Sequence, residues 1–226
     1  MEFKPAASLT EQIADHLTGE IVAGRLSSRE RIQELKVARE LGVSRGSVRE
    51  ALLILEGRHL IEIVPRRGAI VSAFGPEDRA ALSETLAELW AYAFRKTAER
   101  VARHEVRIDL LDPSLERMDE AVKEGNAEDV LRAKFAFIAS GIPATRNRFF
   151  ASLMRGILPA AERLAMVASR CATFDARDTL RLARALREAV AANDRNRIDE
   201  LIRAHCRREA NLAAENSKAH AERMAS

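Results

Sequence analysis

Two arginines four residues apart, at the head of an apolar-striped segment and just behind a Gly-containing turn, constrain this chain more than any other feature. The segment reads Leu41-Gly42-Val43-Ser44-Arg45-Gly46-Ser47-Val48-Arg49-Glu50-Ala51-Leu52. A Ser hydroxyl accepts well from an orphaned N–H at a helix start, so Ser44 is an N-cap and a helix is predicted from about Arg45. Val48, Ala51, Leu52 and Leu55 then recur at helical spacing and face inward, while Arg45 and Arg49 leave one flank side by side. Paired guanidiniums on the first turns of a helix suit the major groove, where Arg bonds bidentately to guanine O6 and N7. Ser47 lies on the same turns and is expected to join them.

After this helix, Leu60-Ile61-Glu62-Ile63-Val64 and Ala69-Ile70-Val71-Ser72 are rich in β-branched residues and bracket Pro65-Arg66-Arg67-Gly68. That pattern predicts a two-stranded hairpin with a positive φ at Gly68. Its tip carries Arg66 and Arg67 with no acid beside them, so helix and hairpin together read as a winged helix-turn-helix. An ordinary pair of helices with solvated arginines is the bland alternative, and it does not account for turn, paired arginines and basic tip occurring in this order.

The formal net charge is only +3, with 31% charged residues, so affinity for nucleic acid must come from the local cluster of Arg45, Arg49, Arg66 and Arg67 rather than from bulk charge. No apolar stretch is long enough to span a membrane, and Met-Glu-Phe-Lys-Pro has no apolar signal core; a cytoplasmic protein is expected. Cys171 and Cys206 are too few for a disulfide framework and are read as small packed thiols.

Ser8-Leu9-Thr10-Glu11 has capping-box spacing before Ile13, Leu17 and Ile21, which predicts a helix that supports the domain. Composition changes at Ser72-Ala73-Phe74-Gly75-Pro76-Glu77-Asp78, where a Gly-Pro break precedes acids suited to a helix start. A DNA-binding domain is therefore placed at 1–73, a linker at 74–80 and a second domain at 81–226. The second is rich in Ala, Leu, Arg and Glu, with breaks near Asp112-Pro113, Gly125-Asn126, Gly141-Ile142-Pro143, Pro159, Phe174-Asp175 and Asn193-Asp194. It is expected to be a bundle of about six or seven helices, making the fold mainly α. Trp90, Tyr92 and Phe94 are expected in its core.

Gly-Val-Ser-Arg-x-x-Val-Arg-Glu-Ala-Leu followed by Arg-Arg-Gly-Ala-x-Val resembles the DNA-binding domain of the GntR family of bacterial regulators, over about residues 8–73. Ser27-Ser28 stands where the family usually has Pro-Gly, and Gly46 where it usually has Thr or a similar residue. The resemblance implies a homodimeric transcription regulator, a repressor in the leading reading, binding a short inverted repeat in double-stranded DNA; two-fold symmetry of the protein would mirror that of the operator.

The helical half resembles the FadR-like subgroup, whose FCD effector domain often holds a divalent metal through an Asp and a His four apart beside a Phe, a second His, and a third near the last helix. In that register the positions fall on Arg132, Ala136, Ala183 and His205. One imidazole cannot hold a metal, so no metal or other cofactor is expected. Arg132 is a candidate to receive an acidic effector, as a guanidinium binds carboxylates bidentately; the alternative is a solvated flank. His205 is either part of that effector site or a packed helix residue. No hydrolase, zincin, P-loop or dinucleotide motif is present, so an enzyme or metabolite-binding protein with a DNA-binding appendage is the weaker reading, beside a regulator that has lost sensing.

Overall fold

The structure is a computed structural model that describes residues 8–225, with side chains described through residue 215. It divides into two compact units: one runs to Phe74 and includes Arg155–Arg163, and the other comprises Gly75–Met154 with Leu164 onward.

The first unit opens with α1 (Leu9–Val22), started by the expected capping box: Ser8 Oγ accepts from Glu11 N at 3.2 Å and the Glu11 carboxylate accepts from Ser8 N at 2.9 Å. The short helix α2 (Glu34–Leu41) ends on Gly42, whose left-handed φ of 65° lets the chain reverse into α3 (Arg45–Gly57); glycine takes that conformation without the Cβ penalty. Ile13, Leu17 and Ile21 of α1 share one core with Val48, Ala51, Leu52 and Leu55 of α3, all fully buried or nearly so. The stripe read from the sequence is thus what fixes the roll of α3 and leaves its other side to solvent.

The hairpin pairs β1 (Ile61–Val64) with β2 (Gly68–Val71) antiparallel, Val64 opposite Gly68 and Ile61 opposite Val71. Its loop is Pro65-Arg66-Arg67. Gly68 has the positive φ expected, 82°, but belongs to the ladder, and Arg66 also adopts a left-handed φ of 64°. The segment before α2 adds a short third edge, Arg31 bridging Ile70 and Ile32 N donating to Ala69 O at 2.9 Å.

The second unit contains α4 (Pro76–Ala102), α5 (Asp112–Lys123), α6 (Ala127–Gly141), α7 (Arg148–Ser169, shared with the first unit), α8 (Ala176–Ala191) and α9 (Arg195–Ala225). These are six α-helices among the described residues, with short 3-10 turns before α5 and after α6. α9 packs along α4 and beside α8, and α5 lies on α6. Asn126 and Asp175, at breaks read from the sequence, cap α6 and α8 with their side chains, and Asn147 does the same for α7.

Two stretches differ from expectation. Residues 76–80, read as linker, are the first turns of α4, because Pro76 fits the first helical position and the Asp78 carboxylate accepts from Gly75 N at 2.8 Å. Pro159 was expected to mark a break, yet α7 runs through it. A proline forfeits one backbone hydrogen bond, and the buried Met154, Ala160, Ala161 and Leu164 around it hold the helix together.

Candidate DNA interface and a buried charge cluster

Ser44 caps α3 as predicted, its hydroxyl accepting from Ser47 N at 3.0 Å and lying 2.9 Å from the Ser47 hydroxyl. Arg45 and Arg49 emerge from the first two turns with side chains 59% and 64% exposed. A Cβ at Gly46 between them would meet the Ser44 hydroxyl in ordinary contact at 3.6 Å. A carboxylate organises the two guanidiniums: Glu34, at the start of α2, receives Arg49 Nε at 2.9 and 3.1 Å and has Arg45 Nη2 at 3.5 Å. Glu50, the acid next to Arg49 in sequence, is turned to the Thr10 hydroxyl of α1 at 3.1 Å. Sequence reasoning missed Glu34, because its partners lie on the following helix.

At the wing, Arg66 and Arg67 are exposed on the loop, and the Arg31 guanidinium lies over Gly68, 3.7 to 3.8 Å from where a Cβ would sit. The third edge therefore adds an arginine to the wing. Helix and hairpin tip offer cations at two places on one small unit, which is what simultaneous contact with base edges and phosphates requires.

The helical unit holds a different kind of charge. Lys134 of α6, with a side chain only 4% exposed, forms an ion pair with Glu209 of α9, 7% exposed. The Lys134 ammonium also sits 4.5 Å from the Phe135 ring centroid and 5.7 Å from that of Trp90. His205, one turn before Glu209, has its ring 6.3 Å from Trp90, and its Nε2 lies 3.5 Å from the Glu209 carboxylate without the alignment of a hydrogen bond. Burial drives the His205 pKa down to about 4, with Lys134 and Arg208 adding to the effect and Glu209 opposing it. Burial raises the Glu209 carboxyl, but Lys134 and His205 outweigh this and leave it below the usual range. At neutral pH the His205 imidazole is therefore neutral and the Glu209 carboxyl ionised.

Arg132 is elsewhere. Its side chain is 71% exposed and paired with Glu128 at 2.5 Å, and it borders a shallow groove with Arg117 and Glu120 of α5 and Glu124 just after it. His205 borders a separate cavity between α8 and α9. The two effector candidates are therefore not brought together. Trp90 and Phe94 are core residues, 2% and 1% exposed, while Tyr92 is half-buried against Phe150. Cys171 and Cys206 are free, and burial pushes the Cys206 thiol up to about 12.

Residues 9–71 match the family model described as "Bacterial regulatory proteins, gntR family", and residues 79–208 match that of the FCD domain. The chain belongs to the GntR family and carries an FCD domain. It is 30% identical over 208 residues to an uncharacterised HTH-type transcriptional regulator, BphR, of Paraburkholderia xenovorans, spanning 88% of this chain and 82% of that one. Its fold is similar to that of a putative GntR regulator from Rhodococcus sp. RHA1 (TM-score 0.74, 21% identity, 90% of this chain and 96% of the other). It is likewise similar to E. coli McbR/YncC (TM-score 0.72, 20% identity, 97% and 100%). The chain is thus a GntR-type transcription regulator, and no described helix is long and apolar enough to cross a membrane.

The described residues of the FCD domain do not fit a metal ion. Among the described residues no three His, Cys, Asp or Glu side chains converge to hold one. His205 and Glu209 are adjacent donors, but Lys134 brings a positive charge to the same carboxylate. A divalent cation placed there would face an ammonium in low dielectric.

Proposed function

We propose that this GntR regulator is a homodimeric repressor that reads a short inverted repeat with Arg45, Ser47 and Arg49 and tracks the backbone with Arg66, Arg67 and the amides around Gly68, and that its FCD domain responds to a small molecule. One observation carries the DNA reading: two exposed guanidiniums on the opening turns of a buried-stripe helix, held side by side by one carboxylate. Arginines anchored in this way are preorganised for base edges, while the wing arginines, free of such anchoring geometry, suit phosphates.

Dimerisation is assigned to residues 76–226. In their support, Phe149 and Leu153, one turn apart on α7, are 72% and 53% exposed; paired large apolar side chains on one helix face suit an isologous contact. Electrophoretic retardation of the protein's own promoter fragment, against a random duplex of equal length, tests the DNA reading. Sedimentation tests the dimer: the full chain is expected at twice its own mass, and Phe149→Glu with Leu153→Glu is expected as a monomer. Equal retardation of both duplexes would end the first reading, and an unchanged dimer the second.

A further inference from the structure

Arg31 belongs to neither the recognition helix nor the hairpin, yet the backbone fixes it on the wing. Arg29 N donates to Val71 O, Val71 N to Glu30 O and Ile32 N to Ala69 O, each at 2.9 Å, so residues 29–32 run along β2 as a third edge. Arg31 bridges Ile70, and Ile70 stands opposite Glu62 of β1. Directly paired residues point to the same side of a sheet. Arg31, Ile70 and Glu62 therefore share the outer face, while Ile32, Ile61, Ala69 and Val71 are buried on the other. Along the outer face the Arg31 side chain runs toward the tip, its Nε and Nη2 coming 3.7 and 3.8 Å from where a Cβ of Gly68 would stand. A longer side chain at that position would contest the space the guanidinium holds.

Four other arginines of the same unit are held by acids: Arg25 by Glu20, Arg45 and Arg49 by Glu34, and Arg58 by Asp15. Arg31 is not. Glu30, beside it in sequence, accepts from the Ser27 amide at 2.8 Å, and among the described residues Arg31, Arg66 and Arg67, all exposed, form no ion pair. Like charges gathered at one hairpin end repel one another and are relieved by anions, which a nucleic-acid backbone offers in series. The place of Arg31 decides which part of a duplex it meets. Arg66 and Arg67 sit on the loop, where a tip reaches into a groove, whereas Arg31 lies on the flat of the sheet behind them. The flank of a hairpin laid into a groove faces the phosphates that wall it, not the base edges at its floor.

We infer that Arg31 is a third DNA contact of the wing, a phosphate clamp supplied from outside both the helix-turn-helix and the hairpin loop. The inference rests on the reading of this unit as the DNA-binding half, and adds to it a residue that carries affinity and salt dependence without base preference.

The parent full-length protein is compared with Arg31→Gln and, as a control of equal charge change, Arg25→Gln. Each is titrated with the protein's own promoter fragment and with a random duplex of equal length, between about 50 and 200 mM salt. Arg31→Gln is expected to weaken both duplexes by the same factor and to lower the salt slope by about one unit, so that its affinity falls roughly threefold less than the parent's over that range. Arg25→Gln, whose guanidinium is already matched by Glu20, is expected to keep the parent's slope. Unchanged thermal midpoints for both variants separate a lost contact from a damaged fold. An unchanged slope in Arg31→Gln, an equal drop in Arg25→Gln, or a loss confined to the promoter fragment would each overturn the inference. A parent that retards neither duplex would end the DNA reading and the inference with it, whereas a failure of Arg31→Gln alone leaves that reading to Arg45 and Arg49.

Discussion

Glu34 and Arg49 join the two helices of the DNA-binding motif through a side-on contact in which both carboxylate oxygens receive the same Nε, at 2.9 and 3.1 Å, while Arg45 approaches one of them at 3.5 Å. The carboxylate cancels one of the two charges and limits where both guanidiniums can point. A partly exposed ion pair of this kind contributes little to stability, on the order of 1 kcal/mol or less, so its value is expected in recognition. Glu34→Gln is predicted to raise affinity for random DNA and to lower the ratio of operator to random affinity by about tenfold, since negative charge at an interface discriminates against contacts lacking proper partners. Paired titrations of operator and random duplexes over a salt series measure this. An unchanged ratio would reduce Glu34 to a surface contact.

The arginines of α3 and of the wing are expected to fail differently. Arg45→Ala and Arg49→Ala should each weaken operator binding by roughly 1 to 3 kcal/mol and relax preference at one base step. Arg66→Ala and Arg67→Ala should weaken all duplexes alike and reduce the salt slope by about one unit each, because each lost phosphate contact retains condensed counterions. Footprinting and salt-dependent affinities distinguish these. Intact footprints in both α3 variants would remove the base-reading assignment.

Lys134→Met alone leaves the Glu209 carboxylate buried beside Trp90 and Phe135 with its cation gone. That is expected to destabilise the fold by about 3 to 5 kcal/mol, whereas the Lys134→Met, Glu209→Leu double variant should recover most of the loss. Denaturant midpoints of the four proteins in the cycle test this. Equal, additive losses would mean that the two charges do not sense each other.

His205 ties stability to pH. Its native pKa of about 4 lies below the unfolded value of about 6.5, so the unfolded chain binds the extra proton first and stability falls as pH drops from about 6.5 to 4, by about 3 kcal/mol at most. Glu209, also depressed, acts in the same direction at lower pH. The charges around the imidazole are Glu209 and Arg208 of α9, Lys134 of α6, and Asp178 of α8 through Arg208. His205→Leu should flatten the upper part of this profile in thermal melts taken between pH 7 and 4. A slope equal to that of the parent would assign the acid sensitivity to other groups.

Local signals carried far in this chain. The Ser44 cap, the four-residue steps to Leu55, the β-branched runs around Pro65 to Gly68 and the Asn and Asp caps of the bundle are read by neighbouring backbone, so the sequence alone determined the recognition helix, the wing and most helix starts. The inner face of α6 was different. Ala-rich, with apolar residues on nearly every side, it gives helical periodicity nothing to choose between Arg132 and Lys134, two residues apart and about 200° around the helix. That choice was made by Glu209, 75 residues away, because a carboxylate buried on α9 requires a cation opposite it. Only the tertiary structure, which sets distant charges against each other in a medium without water to shield them, could decide which of these cations is in the interior and which is in solvent.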